Sequence, residues 1–370
     1  MLAIGLMSGT SMDGVDAAVL ETDGETVSAF GPVFYRPYAE DERAVLRAAL
    51  AEAAALTDRT ARPGAVGLAE ALVTRAHAEA VEQLLAAHAI PPPTVDVVGF
   101  HGQTVLHRPA HRLTVQIGDG EALARRLRMP VVYDLRAADV AAGGQGAPLV
   151  PVFHRALVQK AALASPVAVL NLGGVANVTV IGAGHPLACD TGPANALLDD
   201  FMRARTGAAR DEDGQHAARG RVNEDAVRAV LAHPFFAAPP PKSLDRNAFH
   251  AWMDAHARLD AMSIEDGAAT LTAISAAAVV AILAHLPERP KSWIVSGGGA
   301  RNPTLIRMLA ARLAPAGVET ADALGWNADA LEAQAFAYLA VRSLRGLPLT
   351  FPTTTGVKTP LTGGVVVRPA

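Results

Sequence analysis

The 370-residue chain has one cysteine, Cys189. It can form neither an internal disulfide nor a multi-cysteine zinc site, and a reducing cytoplasm suits it best. It has no long basic block, and 32 Lys and Arg against 36 Asp and Glu leave a net charge of -4. Nucleic acid is therefore not expected as the main partner. Met1 to Met7 lacks the basic flank and the apolar length of a signal peptide. Gly267 to Leu286 contains no Asp, Glu, Lys or Arg and is long enough to cross a bilayer. It is, however, alanine-rich, contains Thr270, Thr272, Ser275 and His285, and lacks an aromatic belt. We expect a buried core helix and no membrane partner.

Hydrophobic residues make up 51% of the chain and charged ones 18%, which excludes disorder. At roughly 150 residues per domain, two domains are expected. Leu2 to Met7 runs into Ser8-Gly9-Thr10-Ser11 and then into the apolar Val15 to Leu20. This reads as strand, tight turn, strand, with Gly14 as a site for positive φ. Val167 to Leu170, Asn171-Leu172-Gly173-Gly174 and Val178 to Ile181 repeat the pattern. A third strand, Trp293 to Val295, ends in Ser296-Gly297-Gly298-Gly299 before a helix over Pro303 to Leu313. Helices are also expected over Glu40 to Leu56, Val66 to Ala89 and Asp329 to Leu344. Val95 to Phe100 and Met129 to Tyr133 read as strands, which puts His101 at a strand end, and Gly143 to Gly146 as a loop joining the halves. Strands alternating with helices make an α/β protein whose ligands sit at strand ends.

Glycine turns let backbone N–H groups converge on an anion, and hydroxyls bind phosphate oxygens without adding repelling charge. A single such turn is ordinary hairpin chemistry, but three at strand ends suit a nucleotide. No Gly-x-x-x-x-Gly-Lys-Ser/Thr loop and no complete dinucleotide fingerprint occurs. Phosphate binding would thus rest on amides and hydroxyls, and a divalent cation would offset the triphosphate charge. From Val140 through Cys189 there is no Asp or Glu, and the next residue is Asp190. A lone carboxylate after an acid-free stretch suits a general base. The plainer alternative is a helix cap near Pro193. His107 and His111 have a suggestive spacing, but Pro109 breaks any helix face and no ligand set completes a metal site. His101 suits a polar ligand. Asp134 and Arg136 suit either a carboxylate or sugar fork or a structural ion pair. Glu332 on its own only favours the dipole of its helix.

The ordered motifs Gly5-Leu6-Met7-Ser8-Gly9-Thr10-Ser11-Met12-Asp13-Gly14-Val15-Asp16, His101-Gly102-Gln103-Thr104, Gln116-Ile117-Gly118-Asp119-Gly120, Asp134-Leu135-Arg136, Gly143 through Pro151, Asn171 through Asn177, Asp190-Thr191-Gly192-Pro193 and Ser296 through Gly299 span the chain. Together they resemble the 1,6-anhydro-N-acetylmuramic acid kinases of the sugar kinase, Hsp70 and actin superfamily. The resemblance implies two RNase H-like lobes around a central nucleotide and substrate cleft, the actin-like ATPase fold. Residues 1–137 with 330–370 would form the first lobe and 138–329 the second. It also implies ATP-dependent phosphorylation of O6 coupled to hydrolytic opening of the anhydro bridge, in cell-wall recycling, by a cytoplasmic homodimer using ATP and Mg2+. On this resemblance Gly9, Thr10, Ser11, Met12, Asp13, Gly14, Val15 and Asp16 hold ATP phosphates. Asn171, Gly173 and Gly174 form a second phosphate turn, and Gly297, Gly298 and Gly299 lie near the adenosine. Asp190 would be the catalytic base, with His101, Arg136 and Glu332 in the sugar pocket and no metal ligand named.

Two departures from the wider pattern stand out. Met7 occupies the place where many superfamily members carry Asp, and Ala194 stands where glycine is usual. A negative φ would make the Ala194 methyl harmless. Another sugar kinase of this fold is the alternative enzyme, and a nucleotide-switched binding protein the alternative class. Because the chain opens directly on its first turn and shows no peptide-binding appendage, the enzyme is expected.

Overall fold

The computed structural model describes residues 1–244 and 246–369. The chain forms two compact units, Met1–Lys160 with Asp329–Ala370, and Ala161–Ala328. Each is an α/β unit built on its own mixed sheet. The Gly143 to Gly146 loop therefore lies inside the first unit and does not join the two. It is held there by Asp139, which accepts hydrogen bonds from the Gly146 amide (2.6 Å) and the Thr355 hydroxyl (2.6 Å).

In the first unit, β1 (Leu2–Ser8), β2 (Gly14–Thr22) and β3 (Val27–Pro37) form an antiparallel meander. Strand β4 (Val97–Arg108) pairs parallel to β1, and β5 (Leu113–Ile117) folds back on the second half of β4. That return hairpin extends β4 to twelve residues, so His101 sits within a strand and not at its end as the sequence suggested. Strand β6 (Val131–Tyr133) adds parallel to β4, and the C-terminal Val365–Val367 closes the edge. The helix Leu331–Leu344 lies on this sheet, against a pair of glycines. A Cβ on Gly5 would come within 1.8 Å of the Ala333 carbonyl oxygen, and one on Gly99 within 2.1 Å of that of Phe336. Gly5 and Gly99 are in-register partners, so the missing side chains form one seat for the helix. That seat brings Glu332 and Phe336 down to the strand ends.

In the second unit, β7 (Val167–Leu172), β8 (Val175–Ile181) and β9 (Leu187–Pro193) repeat the meander. Strands β10 (Ser292–Ser296) and β11 (Gly317–Thr320) follow in parallel. Both sheets thus share one order, third-second-first-fourth-fifth, with β5 and the C-terminal strand as additions to the first. This is the RNase H-like order, and it carries the turn echo read in the sequence. The apolar segment becomes the helix Ile264–Ala281, started by the Ser263 hydroxyl on the Asp266 amide (3.0 Å) with Glu265 and Asp266 favouring the dipole. Its alanines from Ala268 to Ala278 are buried on all sides, because flanking helices and β9 enclose it. It is the one helix among the described residues long and apolar enough to span a membrane, and 78% of its apolar window is buried inside the protein.

Candidate active site

In the first unit the turn after β1 is closed by a Met12 amide bond to the Gly9 carbonyl (3.2 Å). Met12, at φ 55, takes the left-handed position, and Gly14 does not. Gly14 is required instead for space, since a Cβ there would lie 2.6 Å from the Tyr35 ring and the Arg36 carbonyl oxygen. The three hydroxyls differ in use. Ser8 is buried and donates to Gln103 Oε1 (2.6 Å), Ser11 donates to Asp13 (2.8 Å), and Thr10 is exposed. Asp16, the third residue of β2, has its pKa pushed up to about 6. Burial is the largest cause, followed by the charges of Asp13, Glu332 and Asp329.

Beside this turn the sheet gathers the three expected sugar residues. Arg136 Nε donates to His101 Nε2 (3.1 Å), and Nη1 donates to the Gly146 carbonyl (2.8 Å). Because Nε2 accepts, the proton of His101 sits on Nδ1 and goes to the Gly102 carbonyl (2.8 Å). Burial holds the His101 pKa well below its usual value, with the Arg136 charge adding to it, so the ring is neutral. Arg136, half-buried with its guanidinium inward, is itself lowered to about 10 by burial. Phe336 supports the His101 ring (centroids 4.7 Å apart) and the guanidinium (6.0 Å). Glu332, one helical turn before Phe336, is exposed at its surface. Desolvation of its carboxyl nevertheless raises its pKa, and the Arg136 charge pulls the other way. The pair Asp134 and Arg136 does not form an ion pair. Asp134 bonds Arg59 instead, which leaves Arg136 for the site.

In the second unit the residues of three separate motifs fall into one row. Ser296 is in register with Asn171, Asn171 with Asn177, and Asn177 with Asp190, so the four occupy in-register positions across four strands. The turn after β7 is fixed by Asn195, whose Nδ2 donates to the Leu172 carbonyl (2.9 Å) and whose amide donates to that of Gly173 (2.9 Å). The third turn packs directly on it. Gly297 has φ 78, and a Cβ there would meet Asn171 Oδ1 at 2.4 Å, so only glycine brings the two turns together.

Asp190 lies in β9 and caps no helix. The helix Asn195–Thr206 starts from Ala194 without a side-chain cap. Ala194 has φ -129, so its methyl is accommodated. The Asp190 carboxylate accepts from the Leu244 amide (2.8 Å), and its pKa is raised by burial, with that bond working against the rise. Cys189 is buried, and burial pushes its thiol up to about 12. His107 bonds Thr114 (3.0 Å), and among the described residues no three metal-ligating His, Cys, Asp or Glu side chains stand together. The sequence reading did not single out Gln103, Asn177, Asn195 or Phe336. Gln103 and Asn177 lie inside its motifs, but only strand register shows what they face; Asn195 opens a helix beyond the Asp190–Pro193 motif.

The profile of the anhydro-N-acetylmuramic acid kinase family matches residues 1–369. The anhydro-N-acetylmuramic acid kinase of Nitrobacter winogradskyi is 61% identical over 370 residues, and that of Azorhizobium caulinodans is 63% identical over 370 residues. In both comparisons 100% of each chain is covered. Among solved structures, the activator of the 2-hydroxyisocaproyl-CoA dehydratase from Clostridium difficile aligns over 94% of this chain and 96% of that one. Its TM-score is 0.46 and its identity 13%. With the family profile matching residues 1–369 and these relatives 61% and 63% identical over their full length, the chain belongs to the anhydro-N-acetylmuramic acid kinase family.

Proposed function

We propose that the chain transfers the γ-phosphoryl group of ATP to O6 of 1,6-anhydro-N-acetylmuramic acid while water opens the anhydro bridge. The products are N-acetylmuramate 6-phosphate and ADP. The observation that carries this reading is Asp190, a carboxylate at the end of a polar row whose proton affinity burial raises. A carboxylate with raised pKa takes a proton from water more readily. The water oxygen bonds to C1 as the C1–O6 bond breaks and its proton passes to Asp190. The freed O6 attacks the γ-phosphorus, and the bond to ADP breaks.

Gly9, Thr10, Ser11, Met12, Asp13, Gly14, Val15 and Asp16 hold the phosphates in this reading. Asn171, Gly173 and Gly174 add the second turn, and Gly297, Gly298 and Gly299 lie by the adenosine. The sugar is oriented by His101, Arg136 and Glu332, where a neutral imidazole and a guanidinium offer donors and the carboxylate an acceptor. Among the described residues no group of metal-ligating side chains forms a cation site, so no ligand is assigned to the Mg2+ that would offset the charge of the triphosphate. We place the enzyme in the cytoplasm as a homodimer.

Supplying anhydro-N-acetylmuramate in water labelled with oxygen-18 tests the reading. Label at C1 of the phosphorylated product is expected. Phosphorylation of intact N-acetylmuramate alone would assign the chain to ordinary sugar phosphorylation instead.

A further inference from the structure

Gln103 does not belong to the nucleotide or sugar residues assigned above, yet both ends of its amide are spent on the first turn. Its side chain is buried. Oε1 accepts from the Ser8 hydroxyl (2.6 Å), and Nε2 donates to the Gly9 carbonyl (3.0 Å). The Ser8 oxygen also lies 3.2 Å from the Tyr38 hydroxyl. Ser8 has a single hydroxyl proton and gives it to Gln103, so Tyr38 must be the donor in that contact. The result is a directed chain, Tyr38 to Ser8 to Gln103 to Gly9. Gln103 reaches this position through a bulge in β4. Register passes from Leu6 opposite Phe100 to Ser8 opposite Gln103, so β4 carries one extra residue there. That extra residue lets His101 serve the sugar cluster while Gln103 stays under the turn.

The consequence follows from peptide planarity. In a trans peptide the carbonyl of one residue and the N–H of the next point in opposite directions. The Gly9 carbonyl is drawn inward by Gln103 Nε2 and by the Met12 amide. The Thr10 N–H therefore points away from the protein, and among the described residues it has no hydrogen-bond acceptor. We infer that Gln103 is a positioning residue that locks the Gly9–Thr10 peptide with its N–H outward, toward a nucleotide phosphate. It keeps the carbonyl, which would repel that phosphate, turned in. This inference rests on the proposed phosphate role of the first turn.

Binding of ATP, ADP and adenosine by calorimetry to wild type, Gln103→Glu and Thr10→Asp separates the two ideas. Gln103→Glu keeps the shape but replaces the Nε2 donor with a carboxylate oxygen facing the Gly9 carbonyl. ATP and ADP should weaken about tenfold, the worth of one charge-assisted hydrogen bond, while adenosine binding stays unchanged. A buried carboxyl has a raised pKa and donates once protonated. The loss relative to wild type should therefore shrink as the pH is lowered. Unchanged ATP binding in Gln103→Glu, an equal loss for adenosine, or a loss insensitive to pH would overturn the inference if Thr10→Asp still weakens ATP. If Thr10→Asp also leaves ATP binding intact, the phosphate role of the turn itself falls. Should Gln103→Glu not fold, the Thr10 amide resonance of wild type decides. It should move downfield with ADP and not with adenosine, and a resonance indifferent to ADP would refute the orientation.

Discussion

The two units share a strand order but equip it differently. In the first, the turn region collects ionisable groups: the charges of Asp13 and Glu332 act on Asp16, that of Arg136 on His101 and that of Glu332 on Arg136. In the second, neutral groups prevail, and the single carboxylate Asp190 stands at the end of a row of Ser296, Asn171 and Asn177. A common topology guarantees that strand ends gather; it does not decide the chemistry gathered there. In the proposed function, the first unit would orient polar ligands by charge and the second would leave one base, Asp190, unopposed.

The largest test of this contrast removes that base. Asp190→Asn should lower kcat by about 10²–10⁴-fold while leaving ATP and sugar binding near wild type by calorimetry. Because burial raises the Asp190 pKa, wild-type kcat should fall on the acid side through a pKa above the ordinary carboxylate range. That acid limb should be missing from the residual activity of the variant. Retention of the limb would move the base into the first unit and erase the division of labour.

Arg136→Met probes the charged side. It removes the donor to His101 Nε2 and a charge that offsets Glu332. KM for the sugar should rise about 10–100-fold, the worth of a hydrogen bond to a charged group, with KM for ATP little changed. A loss shared equally by both substrates would mean that the cluster holds the fold and not the sugar.

Next in size comes the pair Gly5→Ala and Gly297→Ala. At Gly5 the added methyl collides with the backbone of the Leu331–Leu344 helix, and at Gly297 it meets Asn171 at a positive φ. Each should cost about 1–3 kcal/mol by denaturant titration. Gly5→Ala should mainly raise the sugar KM by displacing Glu332, and Gly297→Ala the ATP KM. Exchange of these two signatures would break the assignment of sugar to one sheet and adenosine to the other.

Much of this was legible in the sequence because it is local. The glycine turns announce strand ends, and the acid-free stretch isolates Asp190 without any structure. The helices over Pro303–Leu313 and near residues 331–344 follow from composition and flanking breakers. What was hidden depends on register. The polar row exists only because β7, β8, β9 and β10 align at Asn171, Asn177, Asp190 and Ser296. The length of β4 depends on β5 returning against it, which no pattern within Val97–Arg108 reveals. Gly14 looked conformational because glycine so often is, whereas the bulk of Tyr35 across the strand pair is what excludes a side chain.

The smallest effect concerns stability, and its sign distinguishes a functional carboxylate from a structural one. The folded pKa of Asp190 lies above its unfolded value, so the native state binds its proton more tightly. Wild-type stability should therefore decline as pH rises from the ordinary carboxylate range through the folded pKa. Asp190→Asn lacks that decline. It should melt at a higher temperature than wild type at neutral pH, with the difference shrinking toward zero as acid protonates the wild-type carboxyl. Asp190 is only partly buried, so solvent screening keeps the gain small. A variant less stable at neutral pH would show that the Leu244 bond outweighs burial and that Asp190 is held for the fold. A gain in stability beside a collapse in kcat is the mark of a site that keeps an unfavourable charge for its chemistry.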